Sequence, residues 1–311
     1  MTSFDVSIII VNYNTKELTR NCLKSVFERT DGIAFEVIVS DNGSMDGSQE
    51  MIRTEFPEVI LIENGANIGF GAANNRALDV ARGKYVFYLN SDTVLLNNAV
   101  QMFFDYWENS PEKEMIGALG ANLLDEDMKI TYSWGNFPTY KNAIKRLFIS
   151  NAVILINEIL SVFRLSCLHS IKKAQQEFRG TVDYISGADL FMLNTDLARF
   201  DERFFLYYEE TDLQYQLNKK NLRRIIITGP QIVHFGGKSN NTKRGSIYRH
   251  ISFSNQQIII SRLIFFKKNN YKKLLFFLIY FLSQMLLIHV PFFEKTVTTR
   301  KKIREVYYTA I

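Results

Sequence analysis

Three carboxylates stand within four residues, at Glu209, Glu210 and Asp212, directly after an aromatic run at residues 204–208. Acids this close repel one another, and the repulsion raises the pKa of at least one of them. A carboxylate with a raised pKa is a good general base. Acids are also favoured in the first turn of any helix. That interpretation, a solvated helix start, is strong for Asp212 and weaker for the pair beside the aromatic residues.

A second candidate site combines Asp92, which follows an apolar run as the end of Asn90-Ser-Asp, with the distant His234. Mg²⁺ is commonly held by one or two carboxylates together with phosphate oxygens. For each residue alone, an ordinary structural role is favoured: Asp92 as a helix cap and His234 as a satisfied histidine. A ligand role for His234 needs a carboxylate partner, and Asp92 is the candidate.

Two glycines, Gly69 and Gly71, lie in the sequence NIGFGAAN, after the third predicted strand. This is not a dinucleotide fingerprint, because Asn74 occupies the third glycine position and the motif does not follow the first strand. The loop is either a plain strand-to-helix connection or a loop whose amides approach a phosphate or a sugar. The chain has no Gly-x-x-x-x-Gly-Lys-Ser/Thr sequence, which disfavours a P-loop nucleotidase.

Short β-branched runs alternate with amphipathic segments around these residues. The pattern predicts strands at residues 6–11, 35–40, 59–62 and 85–89, and helices at about 16–29, from 46 onward, and at 74–81. Such alternation indicates βαβ units and an α/β fold with a doubly wound, mainly parallel sheet. Ligands of these sheets bind beyond the C-terminal ends of the strands, where Asp41 and Asp92 fall. Residues 140–178 predict one or two amphipathic helices.

The composition is that of a globular protein, with 311 residues, 47% of them hydrophobic and 22% charged. It excludes disordered, collagen-like and disulfide-stapled chains. The two cysteines, Cys22 and Cys167, indicate free thiols in a reducing compartment. The first residues lack the basic, apolar and cleavage regions of a secretory signal, so we expect a cytoplasmic protein.

Charge is divided unevenly along the chain. Residues 241–311 contain 13 lysines and arginines and two acids, a net charge of +11, whereas residues 1–240 carry −6. This separates an acidic body at 1–240, which includes the amphipathic helical insertion at 140–178, from a basic tail at 241–311 that is expected to bind an anionic partner. Apolar residues between the charges favour the inner face of a membrane over nucleic acid.

The composition of the apolar stretch at 274–293 indicates how the tail would bind a membrane. Polar residues interrupt it, and basic clusters flank it on both sides. Both features favour helices that lie in the membrane interface over a crossing. We therefore expect a peripheral or monotopic protein on the inner face of the cell membrane. Packing on the catalytic domain and an oligomer interface stay open as alternatives.

Taken together, six motifs resemble the family-2 inverting glycosyltransferases of GT-A fold, in particular the bacterial rhamnosyltransferase and galactofuranosyltransferase branch. They begin at residues 6, 40, 67, 89, 204 and 234 and read VSIIIVNYN, SDNGSMDGS, NIGFGAANN, LNSDT, FFLYYEETDL and HFGGKS. They cover about residues 1–240 in the family's order, and the resemblance therefore implies that residues 1–240 are the catalytic domain. The resemblance implies a GT-A fold and one displacement that inverts the anomeric carbon of a nucleotide-sugar donor.

The resemblance also assigns roles to individual residues. Glu210 matches the catalytic base, with Glu209 as the fallback, and Asp41 matches the aspartate that holds the nucleotide base. Mg²⁺ or Mn²⁺ would lie at Asp92 and His234. Because Asn90 replaces the first aspartate of the Asp-x-Asp motif, weak or absent metal dependence stays open. The donor side comprises Asn12, Asn14, Asp41, Asn67, Gly69, Gly71, Asn74, Asn90, Ser91 and Asp92. The acceptor side comprises Gly187, Ala188, Asp189 and Asp212.

Two rival functions stay open. A nucleotidyltransferase would typically carry a glycine-rich basic loop after the first strand, where Asn12-Tyr-Asn-Thr-Lys16 stands. A non-catalytic membrane scaffold would be favoured by loss of Asp92 or of both Glu209 and Glu210, and all are present. For an enzyme, dTDP-rhamnose is the first candidate donor and a UDP-sugar the second. Membrane attachment suggests a lipid-linked saccharide acceptor from surface polysaccharide synthesis.

Overall fold

A computed structural model describes residues 4–139, 176–236 and 253–269, together with isolated positions between 141 and 156. Two compact units divide the chain, Met1–Phe137 with Ala174–Asn240 and Pro138–Lys173 with Asn241–Ile311. The apolar stretch at 274–293, most of the predicted insertion at 140–178 and Cys167 lie outside the described residues. Cys22 is buried and free. Among the helices that are described, none is both long and apolar enough to cross a bilayer.

A nine-stranded sheet is the centre of the first unit. Its strands are β1 (Val6–Asn12), β2 (Phe35–Asp41), β3 (Ile60–Glu63), β4 (Tyr85–Asn90), β5 (Thr93–Leu95), β6 (Ile116–Leu124), β8 (Gly180–Val182), β10 (Asp189–Leu193) and β11 (Arg223–His234). A separate two-stranded ribbon pairs β7 (Trp134–Gly135) with β9 (Tyr184–Ile185).

The strand order is β3-β2-β1-β4-β10-β6-β11-β5, and β8 pairs with β11. Strands β1 to β4 are parallel, and β6 is parallel to β11. β10 lies antiparallel between β4 and β6. The predicted mainly parallel α/β architecture is confirmed. The sequence patterns above do not mark β6 or β10.

Helices cover both faces of this sheet. The first unit contains α1 (Lys16–Arg29), α2 (Ser48–Glu55), α3 (Phe70–Leu78), α4 (Ala99–Glu108) and α5 (Glu209–Lys219), and the second contains α6 (Phe253–Lys268). Neighbouring residues of a strand point to opposite faces. Ile8 and Ile10 therefore pack with α1, α2 and α4, whereas Ile9 packs with α3 and α5.

The start of α3 differs from the sequence prediction by four residues. The helix begins at Phe70 instead of Asn74, after Gly69 with a φ of 93°. The amide of Phe70 donates a hydrogen bond to the carbonyl of Phe205 at 2.9 Å. A contact with a segment more than 130 residues away thus fixes this start, and local sequence could not reveal it.

Candidate active site

The ends of β1 and β2 lie side by side, which places Asn12 opposite Asp41. Asn12 Nδ2 donates to Asp41 Oδ2 at 2.6 Å. The Ser44 amide and Gln49 Nε2 donate to Asp41 Oδ1 at 2.9 and 2.6 Å. Asp41 is fully buried. Its carboxylate therefore orders the loop that follows β2, at the predicted donor side of the sheet.

Further hydrogen bonds join this loop to the ends of β1 and β4. Asn14, with a φ of 53°, donates its amide to Ser44 Oγ at 2.9 Å and accepts from the Met45 amide at 2.8 Å. The hydroxyls of Thr15 and Ser91 lie 3.1 Å apart. The structure thus brings Asn12, Asn14, Asp41 and Ser91 together in one connected group.

Packing explains the two glycines of the NIGFG loop. A Cβ on Gly69 would lie 2.6 Å from the Phe205 carbonyl oxygen, and one on Gly71 would lie 3.1 Å from Phe200 Cβ. Asn67 Oδ1 accepts from the Gly69 amide at 3.1 Å. The glycines therefore let this loop pack against the segment that leads to Glu209 and Glu210. Asn74, inside α3, donates its side-chain amide to the Phe70 carbonyl at 3.0 Å.

Glu209 and Glu210 are the first two residues of α5 and face different neighbours. Glu209 is buried, and a Cβ added to Gly71 would lie 3.7 Å from the Cβ of Glu209. Among the described residues, Glu209 Oε2 has no hydrogen-bond partner. Glu210 is half-buried and lies against Gly187, where an added Cβ would be 3.4 Å from Glu210 Cβ.

Burial sets the acidity of this pair. It raises the pKa of Glu209 well above the usual carboxyl range, and the charge of Glu210 adds to the effect. Burial also raises the pKa of Glu210. The result agrees with the expectation from charge crowding, but desolvation is the larger cause. Glu210 is the more exposed acid and so the one that a substrate hydroxyl can approach.

The turn before α5, which positions Glu209 and Glu210, contains two residues with a left-handed backbone conformation. Tyr207 and Tyr208 have φ values of 68° and 70°. Such backbone costs on the order of 1 kcal/mol or more for a residue other than glycine. The Tyr208 carbonyl accepts from the Asp212 amide at 2.7 Å. Asp212 is only 1% exposed, so its interpretation as a solvated first-turn acid is wrong.

Three of the predicted acceptor-side residues, Gly187, Ala188 and Asp189, lie at the start of β10, whereas Asp212 lies in α5. The Ala188 carbonyl accepts from the Asn90 amide at 3.1 Å, which joins this loop to the end of β4. Asp189 lies inside the sheet, fully buried, and its Oδ2 accepts from the Ala121 amide at 2.6 Å. Burial raises the pKa of Asp189 well above its usual range. Gly187 borders the site, whereas Asp189 and Asp212 are interior.

Asp92 and His234 meet because β5 and β11 pair with His234 opposite Thr93. His234 Nε2 lies 3.2 Å from Asp92 Oδ1, and each side chain is 19% exposed. Asn90 Oδ1 is buried and has no hydrogen-bond partner in the described part of the chain. The same described residues contain no cluster of three or more acidic, histidine or cysteine ligands. Carboxylate, imidazole and amide oxygen fit a divalent cation that takes its other ligands from phosphate.

Tyr184 is a site residue that the role assignment missed, although it opens the Tyr-Ile-Ser-Gly-Ala-Asp segment of residues 184–189. Burial raises the pKa of its phenol, and the charge of Glu210 adds to this. Its hydroxyl is hydrogen-bonded to that of Tyr132. The ribbon of β7 and β9 therefore borders the candidate base.

The N-terminal part of the chain matches a known protein family. Residues 7–151 match the family described as Glycosyl transferase family 2. Residues 7–151 therefore carry a family 2 glycosyltransferase domain. This confirms the resemblance drawn from the six motifs and the glycosyltransferase class that it implies.

Three curated relatives illustrate the similarity. The N-acetylglucosaminyl-diphospho-decaprenol L-rhamnosyltransferase of Mycobacterium tuberculosis is 25% identical over 226 residues, 67% of this chain and 68% of the relative. An uncharacterized glycosyltransferase of Methanocaldococcus jannaschii is 30% identical over 116 residues, 36% of this chain and 40% of the relative. The UDP-Glc:alpha-D-GlcNAc-diphosphoundecaprenol beta-1,3-glucosyltransferase WfaP of Escherichia coli is 27% identical over 164 residues, 52% and 58% of the two chains. The chain thus spans less than two thirds of the second and third relatives.

Solved structures confirm the GT-A fold. The mannosyltransferase PcManGT from Pyrobaculum calidifontis, in complex with GDP-Man and Mn²⁺, matches with a TM-score of 0.54 and 14% identity, over 100% of this chain and 76% of that one. TarS of S. aureus in complex with UDP matches with a TM-score of 0.51 and 11% identity, over 89% and 69%. At these identities the likeness concerns the fold.

Proposed function

We propose that the protein is an inverting glycosyltransferase that moves a sugar from a nucleotide-sugar to a hydroxyl of a lipid-linked saccharide in surface polysaccharide synthesis. The observation that carries the proposal is the placement of Glu210, half-buried against Gly187 and one residue from a buried acid that packs on the donor-side glycine loop. Relatives named for transfer to diphospho-decaprenol and diphosphoundecaprenol saccharides support the acceptor class. The donor proposed first is dTDP-rhamnose, and a UDP-sugar is the alternative.

In the proposed reaction, a Glu210 carboxylate oxygen takes the proton of the acceptor hydroxyl as that oxygen attacks the anomeric carbon. The bond from this carbon to the nucleoside diphosphate breaks, and the diphosphate leaves with the bonding electrons. Attack from the opposite face inverts the anomeric configuration. Glu209 is buried and packs on the donor-side glycine loop, so it supports that loop, and the more exposed Glu210 meets the acceptor hydroxyl.

The connected group at the strand ends is the proposed donor site, with its bound sugar facing Glu210. Asp92, His234 and the Asn90 side-chain oxygen would hold Mg²⁺ or Mn²⁺, which neutralises charge on a diphosphate when bound. The Asp92 to His234 distance of 3.2 Å supports this assignment. So does the buried Asn90 oxygen that no described donor reaches.

We further propose that the basic tail holds the protein at the anionic inner face of the cell membrane, as a peripheral or monotopic protein. The support is the sequence: 13 basic residues against two acidic ones in residues 241–311. Each lysine or arginine near such a surface contributes on the order of 1 kcal/mol. A homo-oligomer formed through the same apolar stretch is the competing use of this tail.

A nucleotide-sugar panel tests the function. Purified protein with Mn²⁺ is screened by thermal shift and then by donor hydrolysis, with dTDP-rhamnose and UDP-sugars as the first probes. A true donor at 100 times its Kd adds about 2.7 kcal/mol of stability. Products of the opposite anomeric configuration, followed by NMR, support inversion. Formation of a nucleotide-sugar from a nucleoside triphosphate and a sugar phosphate would instead establish the nucleotidyltransferase.

A further inference from the structure

A cleft of about 520 Å³ opens beside the C-terminal end of α5, away from Glu210. No role in donor binding or proton transfer involves its residues. The cleft is lined by the ribbon strand β7, the edge strand β8, the end of α5 with the turn after it, and the start of β11. Its lining comprises Trp134, Asn136, Phe178, Asp183, Asn221 and Arg224, together with neighbouring residues of the same segments.

Two aromatic rings form one wall of the cleft. The ring centroids of Trp134 and Phe178 lie 4.8 Å apart with a tilt of 41°, and both side chains are half-buried. Phe178 is held in place through its backbone, because its amide and carbonyl both bond to the Asn122 side chain, at 3.0 and 2.8 Å. The wall is therefore a fixed aromatic surface. Such surfaces attract the positively polarised C–H groups of a ring that lies flat on them.

The two arginines of the cleft are already bonded within the protein, and the Asp183 carboxylate accepts a hydrogen bond from the Phe137 amide at 2.8 Å. Arg223 Nη2 forms an ion pair with Glu112 at 2.6 Å. Arg224 is 4% exposed and donates to the Asp183 and Leu222 carbonyls at 2.8 and 2.6 Å. These arginines are thus poorly placed to receive a phosphate, which favours a neutral ligand.

The remaining polar lining consists of three side-chain amides and the Thr181 hydroxyl. Asn136, Asn218 and Asn221 are exposed at the cleft, where their side chains carry donors and acceptors, and Asn218 Oδ1 already accepts from Arg224 Nη2 at 3.0 Å. A ligand with many hydroxyl groups matches these amides, and its C–H faces match the aromatic wall. Few precisely placed polar groups beside aromatic faces are typical of small-ligand sites. A pyranose ring has this combination of surfaces.

The cleft is also connected to the candidate base. Asn218 follows Glu210 by eight residues in α5, which corresponds to about 12 Å along the helix. On the ribbon, Tyr184 adjoins Asp183, and a Cβ on the paired Gly135 would lie 2.6 Å from the Tyr184 hydroxyl. A chain of sugars could therefore run from Glu210 along the ribbon to Trp134.

We propose that this cleft binds a neutral sugar unit of the acceptor saccharide at a distance from the hydroxyl that reacts. The acceptor role rests on the proposed function, whereas sugar binding by the cleft does not. The cleft would thus make the enzyme favour an acceptor that already carries several sugars.

The test measures binding of soluble mono- to tetrasaccharides of rhamnose, glucose and N-acetylglucosamine to the full chain at millimolar concentration. Iodide quenching reports on Trp134, because Trp107 is 3% exposed and the chain has only these two tryptophans. We expect a tetrasaccharide to protect Trp134 and to bind at least tenfold tighter than its monosaccharide. Saturation-transfer NMR measures the same binding in variants that lack the indole.

Asn221→Gly removes one amide without strain, since Asn221 has a φ of 59° that glycine adopts freely. Trp134→Leu removes the flat ring, and Lys220→Ala is the matched control on an exposed neighbour outside the lining. We expect tetrasaccharide binding to fall tenfold in the first two variants and to stay unchanged in the control. Donor hydrolysis, which reports on the proposed function separately, stays unchanged in all three. Equal binding in Trp134→Leu and the unmodified protein, or no protection by any saccharide, would overturn the proposal.

Discussion

Glu209 and Glu210 are adjacent in the chain, but the start of α5 turns them towards different surroundings. Glu209 packs beside Gly71 on the donor-side loop, while Glu210 borders Gly187 at the acceptor side. Both carboxyls have raised pKa values from burial. Exposure, not acidity, therefore distinguishes the proposed base from its neighbour.

Replacing each acid in turn tests this distinction. Glu210→Gln should lower kcat by about 100- to 10,000-fold, because the amide cannot accept the proton. Donor affinity, measured by calorimetry, should remain close to that of the unmodified protein. Glu209→Gln is the matched control and should keep most of the turnover. The reverse pattern would place the base one residue earlier.

The raised pKa of Glu210 also predicts a pH dependence. Only the ionised carboxylate accepts a proton, so kcat/KM should fall as the pH drops through the raised pKa of this group. The acid limb should therefore lie above the usual range of a glutamate, in a profile measured with the donor below its KM. An acid limb in the ordinary carboxyl range would show that Glu210 is not desolvated as the structure indicates.

Asp92 and His234 predict a metal-dependent step in donor binding. Asp92→Ala and His234→Ala should each weaken nucleoside diphosphate binding by about tenfold in the presence of Mn²⁺, since a lost ligand weakens the cation site. With a chelator present, both variants should bind like the unmodified protein. Titration calorimetry provides both measurements. Equal affinity of the unmodified protein with and without Mn²⁺ would remove the cation from the proposed mechanism.

At the scale of elements, the sequence predicts the helices and strands whose signals are local. The helix at 16–29 and the first four strands could be predicted to within a residue or so, because β-branched runs and a helical period are local signals. β10 could not, because its place between β4 and β6 depends on distant pairing. For the same reason the burial of Asp189 and Asp212 was not visible in the sequence. The approach of Asp92 to His234 was anticipated from ligand chemistry and the resemblance.

Gly69 provides a prediction about how two loops are joined. In Gly69→Ala, the new methyl group meets the Phe205 carbonyl at 2.6 Å, and the φ of 93° is unfavourable as well. We expect the free energy of unfolding, from urea titration, to fall by about 1–3 kcal/mol. Turnover should fall too, because the segment leading to Glu210 is displaced.

Gly65→Ala is the matched control for this prediction. Gly65 has a φ of 72°, but an added Cβ there would meet nothing within 4 Å. Gly65→Ala therefore measures the cost of backbone strain without a steric contact. If the two variants lose equal stability and activity, close packing of the loops is not the reason for Gly69.

At the scale of the whole molecule, the division of charge predicts where the protein resides in a cell. Removal of residues 270–311 leaves every element described here intact but deletes seven of the 13 basic residues of the tail and the apolar stretch at 274–293. We expect the shortened protein to move from the membrane pellet to the supernatant on fractionation. If it still pellets, residues 140–178 become the candidate anchor.

Intact spheroplasts give an independent outcome for the same tail. Protease added outside should leave the C-terminus of the full protein uncut, because an interfacial segment stays on the inner side. Cleavage there would show a crossing and contradict the interfacial arrangement.

The central position of β10 in the sheet leaves an exposed strand edge in the nascent chain on the ribosome. β4 is complete at Asn90, but the strand that covers its edge ends at Leu193, about 100 residues later. At about 5–20 residues per second, the edge of β4 waits on the order of 5–20 s for its neighbour. Throughout that interval an open row of amides and carbonyls can pair with another chain. Substitutions that delay the arrival of β10 would thus reduce the yield of protein in the cell while leaving the finished fold unchanged.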